Sequence, residues 1–592
     1  MTQPKERAFL SGNAALARGA WEAGVKFASA YPGTPSTEIL ELCGKYKEID
    51  AQWAVNEKTA METVIGASLG GARALCSQKH VGLNVAADPF FTAAYLGVNA
   101  GLVVITADDP GMHSSQNEQD NRNYARHAKI PMFEPSDSQE CKDMIIEAFN
   151  LSEKYNTPVL IRTTTRVSHS ESAVELDERK EVPNKEFVKD INRCALPNIS
   201  RKLHEKVKER QAKISELSNT IKFNRIEKGS EKLGIITSGI SYCHAKEVFP
   251  EASFLKLGLS YPFPEKLIKE FAQSVEQIIV IEENDPFIEN AVKAMGIKCE
   301  GKNLLPECGE LNPDIIHQAL KDYTDKPLPA AKQITETEIP GRPPVLCPGC
   351  PHRGVFYALR KLGCTVMGDI GCYSLGAYAP HNALHSIVCM GASITTALGM
   401  EKAMKENIHG KLVSVIGEST FMHSGMTGLL DTIYNKGRHL TIILDNSITA
   451  MTGHQPNPAS GKNLKGEPAK AVNLEALCSA LGVEVVKSVD PFDLATLENT
   501  IKECLQDERP TVIITKRPCF LLKDYKPAIK LVSINSEKCV KCGMCFKLGC
   551  PAIEKNPKTG KTVINTALCV HCGLCAKVCK PQAITQANEE VK

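Results

Sequence analysis

Eight cysteines crowd into the last stretch of the chain in two bursts, Cys539-x2-Cys542-x2-Cys545-x4-Cys550-Pro551 and Cys569-x2-Cys572-x2-Cys575-x3-Cys579. Two-residue gaps turn successive thiols onto one face of a loop, which suits metal ligation and not cross-linking. Where the run C-x2-C-x2-C-x3-C-P occurs twice, three cysteines of each burst hold one [4Fe–4S] cluster and the fourth crosses to the other. That logic groups Cys539, Cys542, Cys545 and Cys579 around one cluster, and Cys569, Cys572, Cys575 and Cys550 around a second. Tetrahedral zinc also uses C-x2-C pairs, but the duplicated pattern with its prolines favours iron and sulfide. Two departures stand out, the x4 gap before Cys550 and Lys580 inserted before Pro581. Neither removes a ligand, and the first predicts a bulged loop at Phe546–Gly549.

The other fifteen of the 23 cysteines are scattered through the first 519 residues, too sparse for a disulfide scaffold, so a reducing compartment, the cytoplasm, is expected. Length, 592 residues, predicts three to five domains. With 70 Lys and Arg against 68 Asp and Glu, net charge gives no footprint for nucleic acid or an anionic membrane. No signal-peptide core follows Lys5, Glu6 and Arg7. The longest uncharged stretches, Phe90–Ala107 and Tyr373–Met400, carry Gly, Asn, Thr or His and are read as buried strands and helices.

The fold class expected is α/β and multi-domain. Apolar runs at 81–87, 102–107 and 158–164 read as strands buried on both faces of a parallel sheet in a first domain, 1–170. Residues 171–230 form a charged connector whose helical spacing runs through Leu203, Val207, Ile214 and Leu217. A compact α/β domain follows at 231–325, then a Pro-rich linker at 326–344. A further α/β block spans 345–532, with strands at 411–417, 440–446 and 511–517, and the cysteine module fills 533–592.

In that block one strand ends in Gly417-Glu418-Ser419 and the next in Asp445-Asn446-Ser447-Ile448. The 28 residues from Glu418 to Asn446 make one strand–helix–strand unit, bringing both loops to one carboxyl edge. This resembles the thiamine diphosphate signature GDG-x(about 25–30)-N, with Glu418 where the pattern has Asp. Glu418, Asn446 and the Ile448 carbonyl are the implied Mg²⁺ ligands, hard oxygens suited to that ion.

Upstream, SGNAALARGAWEAGVKFASAYPGTPSTEILE (11–41) and WAVNEKTAMETVIGASLGGARAL (53–75) resemble the pyrimidine-binding domain of the 2-oxoacid:ferredoxin oxidoreductases. The resemblance gives Glu57 the catalytic place on the aminopyrimidine, where a carboxylate favours the tautomer that takes the C2 proton. Glu62 is its nearest competitor but reads as the start of a helix. Thr34, in YPGTPS, matches the position near the substrate carboxylate. CPGCPHRG (347–354), GDIGCYSLG (368–376) and RPCF (517–520) match places where this superfamily binds a cluster close to the thiamine cofactor, implying a third set, Cys347, Cys350, Cys372 and Cys519. Pro351-His352 departs from the usual continuation, and the alternative is a C-x2-C that only shapes the loop.

KHVGLNVAADP (79–89), DDPGMHSSQNEQDNR (108–122), DNSITAMTGHQP (445–456) and the ferredoxin-like tail are similar to the α subunits of indolepyruvate:ferredoxin oxidoreductases. That resemblance implies pyrimidine and pyrophosphate domains joined by a transketolase C-terminal-like domain at 231–325, with a ferredoxin-like 2×[4Fe–4S] module at the end. It implies oxidative decarboxylation of arylpyruvates such as indole-3-pyruvate, phenylpyruvate and 4-hydroxyphenylpyruvate, with coenzyme A, to aryl-acetyl-CoA, CO₂ and reduced ferredoxin. A β subunit, in an α2β2 assembly, is the implied partner, and GMHSSQNEQDNR is a candidate loop over the substrate. Two alternatives stay open: a non-oxidative thiamine-dependent arylpyruvate decarboxylase, and an electron-transfer subunit with a decayed thiamine site.

Overall fold

The computed structural model describes residues 6–324, 343–527 and 530–587, and the chain divides into two compact units, 1–337 and 338–592. The segment expected as a linker lies outside the described residues except for its last two.

In the first unit seven strands form one sheet, in the order Leu259–Tyr261, Met132–Phe133, Val159–Thr164, Leu102–Asp108, Ala74–Lys79, Phe27–Ala30, Asp50–Trp53. Only the Leu259–Tyr261 edge is antiparallel. Leu102–Asp108 and Val159–Thr164 are buried along their whole length, which is why LVVITAD and VLIRTT carry apolar residues at consecutive positions. The strand expected at 81–87 is instead the helix His80–Val85, and the strand is the preceding segment, Ala74–Lys79. A short apolar run without alternation fits either state.

Two pairings cross the expected boundaries of the first domain and its neighbours. Glu171–Glu175 runs antiparallel to Arg7–Ser11, and Leu259–Tyr261 reaches into the first sheet from the 231–325 segment. The rest of that segment joins Arg225–Glu227 in a four-stranded sheet. Buried ion pairs tie the two sheets together. Arg122 sits between Asp120 and Glu282, both at 2.6 Å, and Arg162 reaches Asp108 (2.9 Å), Glu134 (3.0 Å) and Asn284 (2.9 Å). The connector helix, Pro197–Ser218, buries Leu203, Val207 and Ile214, and leaves Leu217 half-buried.

The second unit is built on a six-stranded parallel sheet, ordered Ser386–Ile387, Thr365–Gly368, Leu412–Gly417, Leu440–Asp445, Thr511–Lys516, Val485–Val489. Strand order reverses between Thr365–Gly368 and Leu412–Gly417, and such a switch point opens a crevice at the carboxyl edge. The cysteine module adds two short antiparallel pairs, Val532–Ile534 with Ile584–Gln586 and Ile553–Lys555 with Thr562–Ile564. Its core is not its own, because Leu548, Leu574, Val578 and Ile584 pack in one cluster with Tyr357, Phe492 and Leu494 of the α/β domain. No helix among the described residues is long and apolar enough to cross a membrane. None of the 23 cysteines is in a disulfide.

Candidate functional site

Glu57 opens the helix Glu57–Leu69, whose end is capped by Asn56 through Thr59 N (2.8 Å). The carboxylate is buried against Gly82, where a Cβ would stand 2.7 Å from Glu57 Oε1. Glycine is required there because any side chain would displace the acid. Glu62 does not start this helix; it lies in its interior, exposed and paired with Lys58.

Thr34 is half-buried in the loop after Phe27–Ala30, and its carbonyl accepts from Ser114 Oγ (3.4 Å). Beside it lies Lys79, a residue whose role the sequence did not disclose. A Cβ on Gly33 would stand 3.1 Å from Lys79 Cβ, and Lys79 Nζ donates to the Ser114 carbonyl at 2.6 Å. Lys79 is 8% exposed, and its ammonium has no carboxylate within ion-pairing distance among the described residues. Burial pulls its pKa down to about 8, against the opposing charge of Asp109. Asp109 in turn pins the polar loop, accepting from Ser114 N (2.8 Å), Ser115 Oγ (2.5 Å) and Thr165 Oγ1 (2.7 Å). Ser29 Oγ, both amide atoms of Gln78, His80 Nδ1 and Thr164 Oγ1 are buried without hydrogen-bond partners. So many unpaired polar atoms along one sheet edge suit a polar ligand.

In the second unit Glu418, Asn446 and Ile448 meet at the carboxyl edge of neighbouring strands. Ser447 takes φ +62°, in the left-handed region, between Asn446 and Ile448. With its nitrogen turned inward, the Asn446 amide donates to Glu418 Oε1 (3.3 Å) and the Ile448 carbonyl (2.7 Å); with its oxygen inward, three oxygens face one another with no proton between them. The second orientation demands a cation, and those separations bracket the edge of an octahedron of Mg–O bonds of about 2.1 Å. Glu418 is 2% exposed and accepts a hydrogen bond from Asn457 Nδ2 at 3.0 Å. Burial, with the charge of Asp445, pushes its pKa up to about 8, the signature of a carboxylate lacking its counter-ion. Hard oxygens and a buried unpaired acid fit Mg²⁺, and the longer Glu side chain still reaches the site.

Cys372 follows Thr365–Gly368 and Cys519 follows Thr511–Lys516, at that same sheet edge. Cys519 N donates to the Asn446 carbonyl at 2.9 Å. Cys347, Cys350 and Cys519 each lie within reach of another thiol's charge in this set, and Cys372 and Cys519 also feel Glu418. The four thiols of the third set therefore gather beside the oxygen site. His352, at the departure from the usual motif, is buried, its pKa pulled down to about 4 by desolvation, and it packs edge-on to Tyr373.

The C-terminal thiols ring two recesses. Cys550, Cys569, Cys572 and Cys575 line one of about 450 Å³; Cys539, Cys542, Cys545 and Cys579 line one of about 330 Å³. The fourth cysteine of each burst thus sits with the other burst. Among the described residues, no three His, Cys, Asp or Glu side chains converge closely enough to hold a single metal ion. Each set surrounds a volume, which fits a cluster. Around them residues 530–580 carry nine lysines and two glutamates, an excess of seven positive charges that the chain's total of +2 conceals.

Three family models match the chain: pyruvate flavodoxin/ferredoxin oxidoreductase, thiamine diphosphate-binding, over 18–212; the C-terminal binding domain of thiamine pyrophosphate enzymes over 369–515; and a 4Fe–4S dicluster domain over 531–580. Indolepyruvate oxidoreductase subunit IorA of Archaeoglobus fulgidus is 39% identical over 93% of both chains. Its namesakes in Methanothermobacter thermautotrophicus (40%, over 93% of this chain and 92% of that one) and Pyrococcus abyssi (38%, over 99% and 98%) are similar. The chain belongs to the IorA family. IorA proteins are named as oxidoreductase subunits, and this member carries thiamine diphosphate-binding and 4Fe–4S dicluster domains in an α/β multi-domain chain. The three models take in Thr34, Glu57 and Lys79, then Cys372, Glu418, Asn446 and Ile448, then all eight C-terminal cysteines; Cys347, Cys350 and Cys519 fall outside them. A solved 2-oxoglutarate:ferredoxin oxidoreductase from Magnetococcus marinus aligns over 54% of this IorA-family chain and 66% of its own at 20% identity, TM-score 0.47, too loose a likeness to bear on the site.

Proposed function

We propose that the chain is the catalytic subunit of a cytoplasmic enzyme that oxidatively decarboxylates arylpyruvates, indole-3-pyruvate among them, with coenzyme A, giving aryl-acetyl-CoA, CO₂ and reduced ferredoxin. The observation that carries this reading is the arrangement within the second unit, where thiols gather beside the Glu418–Asn446–Ile448 edge and two more thiol sets lie in a module sharing that unit's core. A non-oxidative decarboxylase has no use for such an exit. The names of the IorA relatives support the arylpyruvate class and a partner subunit, which we take to be a β chain in an α2β2 assembly.

Thiamine diphosphate, when bound, supplies a carbon nucleophile and a cationic ring that accepts the electrons left by CO₂. The chain's own residues do the rest. Glu57, buried under Gly82, holds and moves a proton at its carboxyl oxygen. Glu418, Asn446 and the Ile448 carbonyl would hold Mg²⁺ and thereby anchor the diphosphate. Thr34 and the buried Lys79 ammonium bind and orient the substrate carboxylate, and the loop pinned by Asp109 excludes water from above. The eight C-terminal cysteines would hold two [4Fe–4S] clusters, and Cys347, Cys350, Cys372 and Cys519 a third.

The test is anaerobic purification with the partner subunit, iron and sulfide counting, and ferredoxin reduction driven by indolepyruvate, phenylpyruvate, pyruvate or 2-oxoglutarate with coenzyme A. Arylpyruvates should support reduction at least tenfold better than the other two. Failure of every arylpyruvate to reduce ferredoxin sinks the reading.

A further inference from the structure

Arg353 is 2% exposed, and among the described residues its guanidinium pairs with no carboxylate. All its hydrogen bonds go to carbonyl oxygens: Leu346, Cys347 (3.2 Å from Nε and 3.0 Å from Nη2) and Leu548 (2.8 Å from Nη1). A buried cation with no anion is strongly destabilising, so something negative must stand nearby. The groups whose charge reaches it are the thiols of Cys550, Cys350, Cys572 and Cys347. Two belong to the Cys347–Cys350 loop, and two to the recess of Cys550, Cys569, Cys572 and Cys575, which Arg353 itself lines.

The same contact explains the irregular first burst. Leu548, whose carbonyl Arg353 holds, lies in the loop lengthened by one residue between Cys545 and Cys550. The next residue, Gly549, at φ +62°, presses on the α/β domain so closely that a Cβ would stand 2.9 Å from Pro380 Cδ and 3.1 Å from His381 Nε2. In place of the bulge expected there, the lengthened segment forms a short 3-10 helix, Met544–Leu548, whose end docks.

We propose that Arg353 is the positioning residue that joins the Cys347–Cys350 loop to the neighbouring cluster recess and, as the recess's one buried cation, raises the reduction potential of the cluster held there. A cluster on four thiolates is anionic, and reduction adds one electron and one more negative charge with no bond made or broken. The electron comes from the 2-oxoacid as it is oxidised and leaves toward the Cys539 set. Net charge and local hydrogen bonding are among the terms that set cluster potentials.

This rests on the iron–sulfur reading above, and the experiment separates the two. Holoenzyme with its partner subunit is prepared as wild type, Arg353→Gln and Arg353→Lys; iron is counted and each cluster is titrated by EPR, the Cys539-set signal being identified through Cys542→Ser. Arg353→Gln should weaken reduction of the Cys550-set cluster at least tenfold, about 59 mV for one electron, leaving the Cys539-set cluster unmoved; Arg353→Lys should restore most of the shift. An unshifted potential at full iron content, or equal shifts in Gln and Lys variants, overturns the proposal. Should Arg353→Gln lose iron, the Lys variant decides alone: a tenfold loss there overturns it and a potential near wild type supports it. Wild-type holoenzyme without cluster iron refutes the functional reading instead.

Discussion

The two C-terminal recesses come from nearly one sequence pattern, yet their surroundings differ. That of Cys550, Cys569, Cys572 and Cys575 is walled by Val532, Leu548, Ile553 and Leu574 and faces Arg353; burial pushes the Cys575 thiol up to about 12. That of Cys539, Cys542, Cys545 and Cys579 is smaller, with Cys542 exposed. Backbone hydrogen bonds at Thr562 and Lys541 hold the Cys539 thiol below its usual range, aided by the charge of Lys561. The spacing of cysteines thus groups the thiols, and the residues between them decide which recess is drier, walled by apolar side chains, and which opens to solvent at Cys542. The dry recess suits transfer inside the enzyme, and the open one suits delivery to a carrier.

The comparison breaks first at its source. If electrons enter from the dry side, Glu57→Gln should cut turnover about 10²–10⁴-fold, leaving both clusters oxidised when substrate is added although dithionite still reduces them. EPR after freeze-quench reads this. Cys575→Ser should remove the iron of the dry recess and abolish ferredoxin reduction, whereas Cys542→Ser should abolish it while substrate still reduces the remaining inner cluster. Identical iron loss and identical spectra in the two variants would dissolve the distinction.

Smaller effects sharpen it. Leu548→Ala opens a cavity in the shared core and should cost about 2–5 kcal/mol, while Val540→Ala, 66% exposed, should cost almost nothing, by denaturant titration. Glu418 gives the inner region a pH dependence. Its pKa in the folded chain stands at about 8 against 4.5 for the free group, so its contribution to the metal-free chain's stability is complete below pH 4.5 and is lost as pH rises through 8. A cation needs the carboxylate, so Mg²⁺-dependent thiamine diphosphate binding should weaken up to tenfold per unit as pH falls below 8, in calorimetry. Smallest, Lys541→Glu with Lys555→Glu should raise KM for ferredoxin a few-fold and flatten its salt dependence, leaving substrate reduction of the inner cluster unchanged.

How much of this was legible in the sequence depended on whether the signal was local. Cysteine spacing and the 28-residue step from Glu418 to Asn446 are local, and the atoms they single out do lie together. The helix at His80–Val85 was misread because VGLNV has no alternation to separate helix from strand. Glu62 misled because the helix begins at its N-cap, Asn56, a turn and a half earlier. The edge strand Leu259–Tyr261 was missed because only tertiary pairing with Met132–Phe133 defines it. Lys79 and Arg353 are ordinary basic residues in sequence, and only burial without a carboxylate marks them. The basic face of the module was hidden by an average taken over the whole chain.

The core shared among Leu548, Leu574 and Ile584 of the module and Tyr357, Phe492 and Leu494 of its host has a kinetic meaning. A ferredoxin on a tether must find its donor anew at each turnover, and its rate is set by the search. Here the ferredoxin-like acceptor was installed when the chain folded. Only the last hop, to the carrier, remains a matter of encounter, so concentration and salt should act there and nowhere upstream.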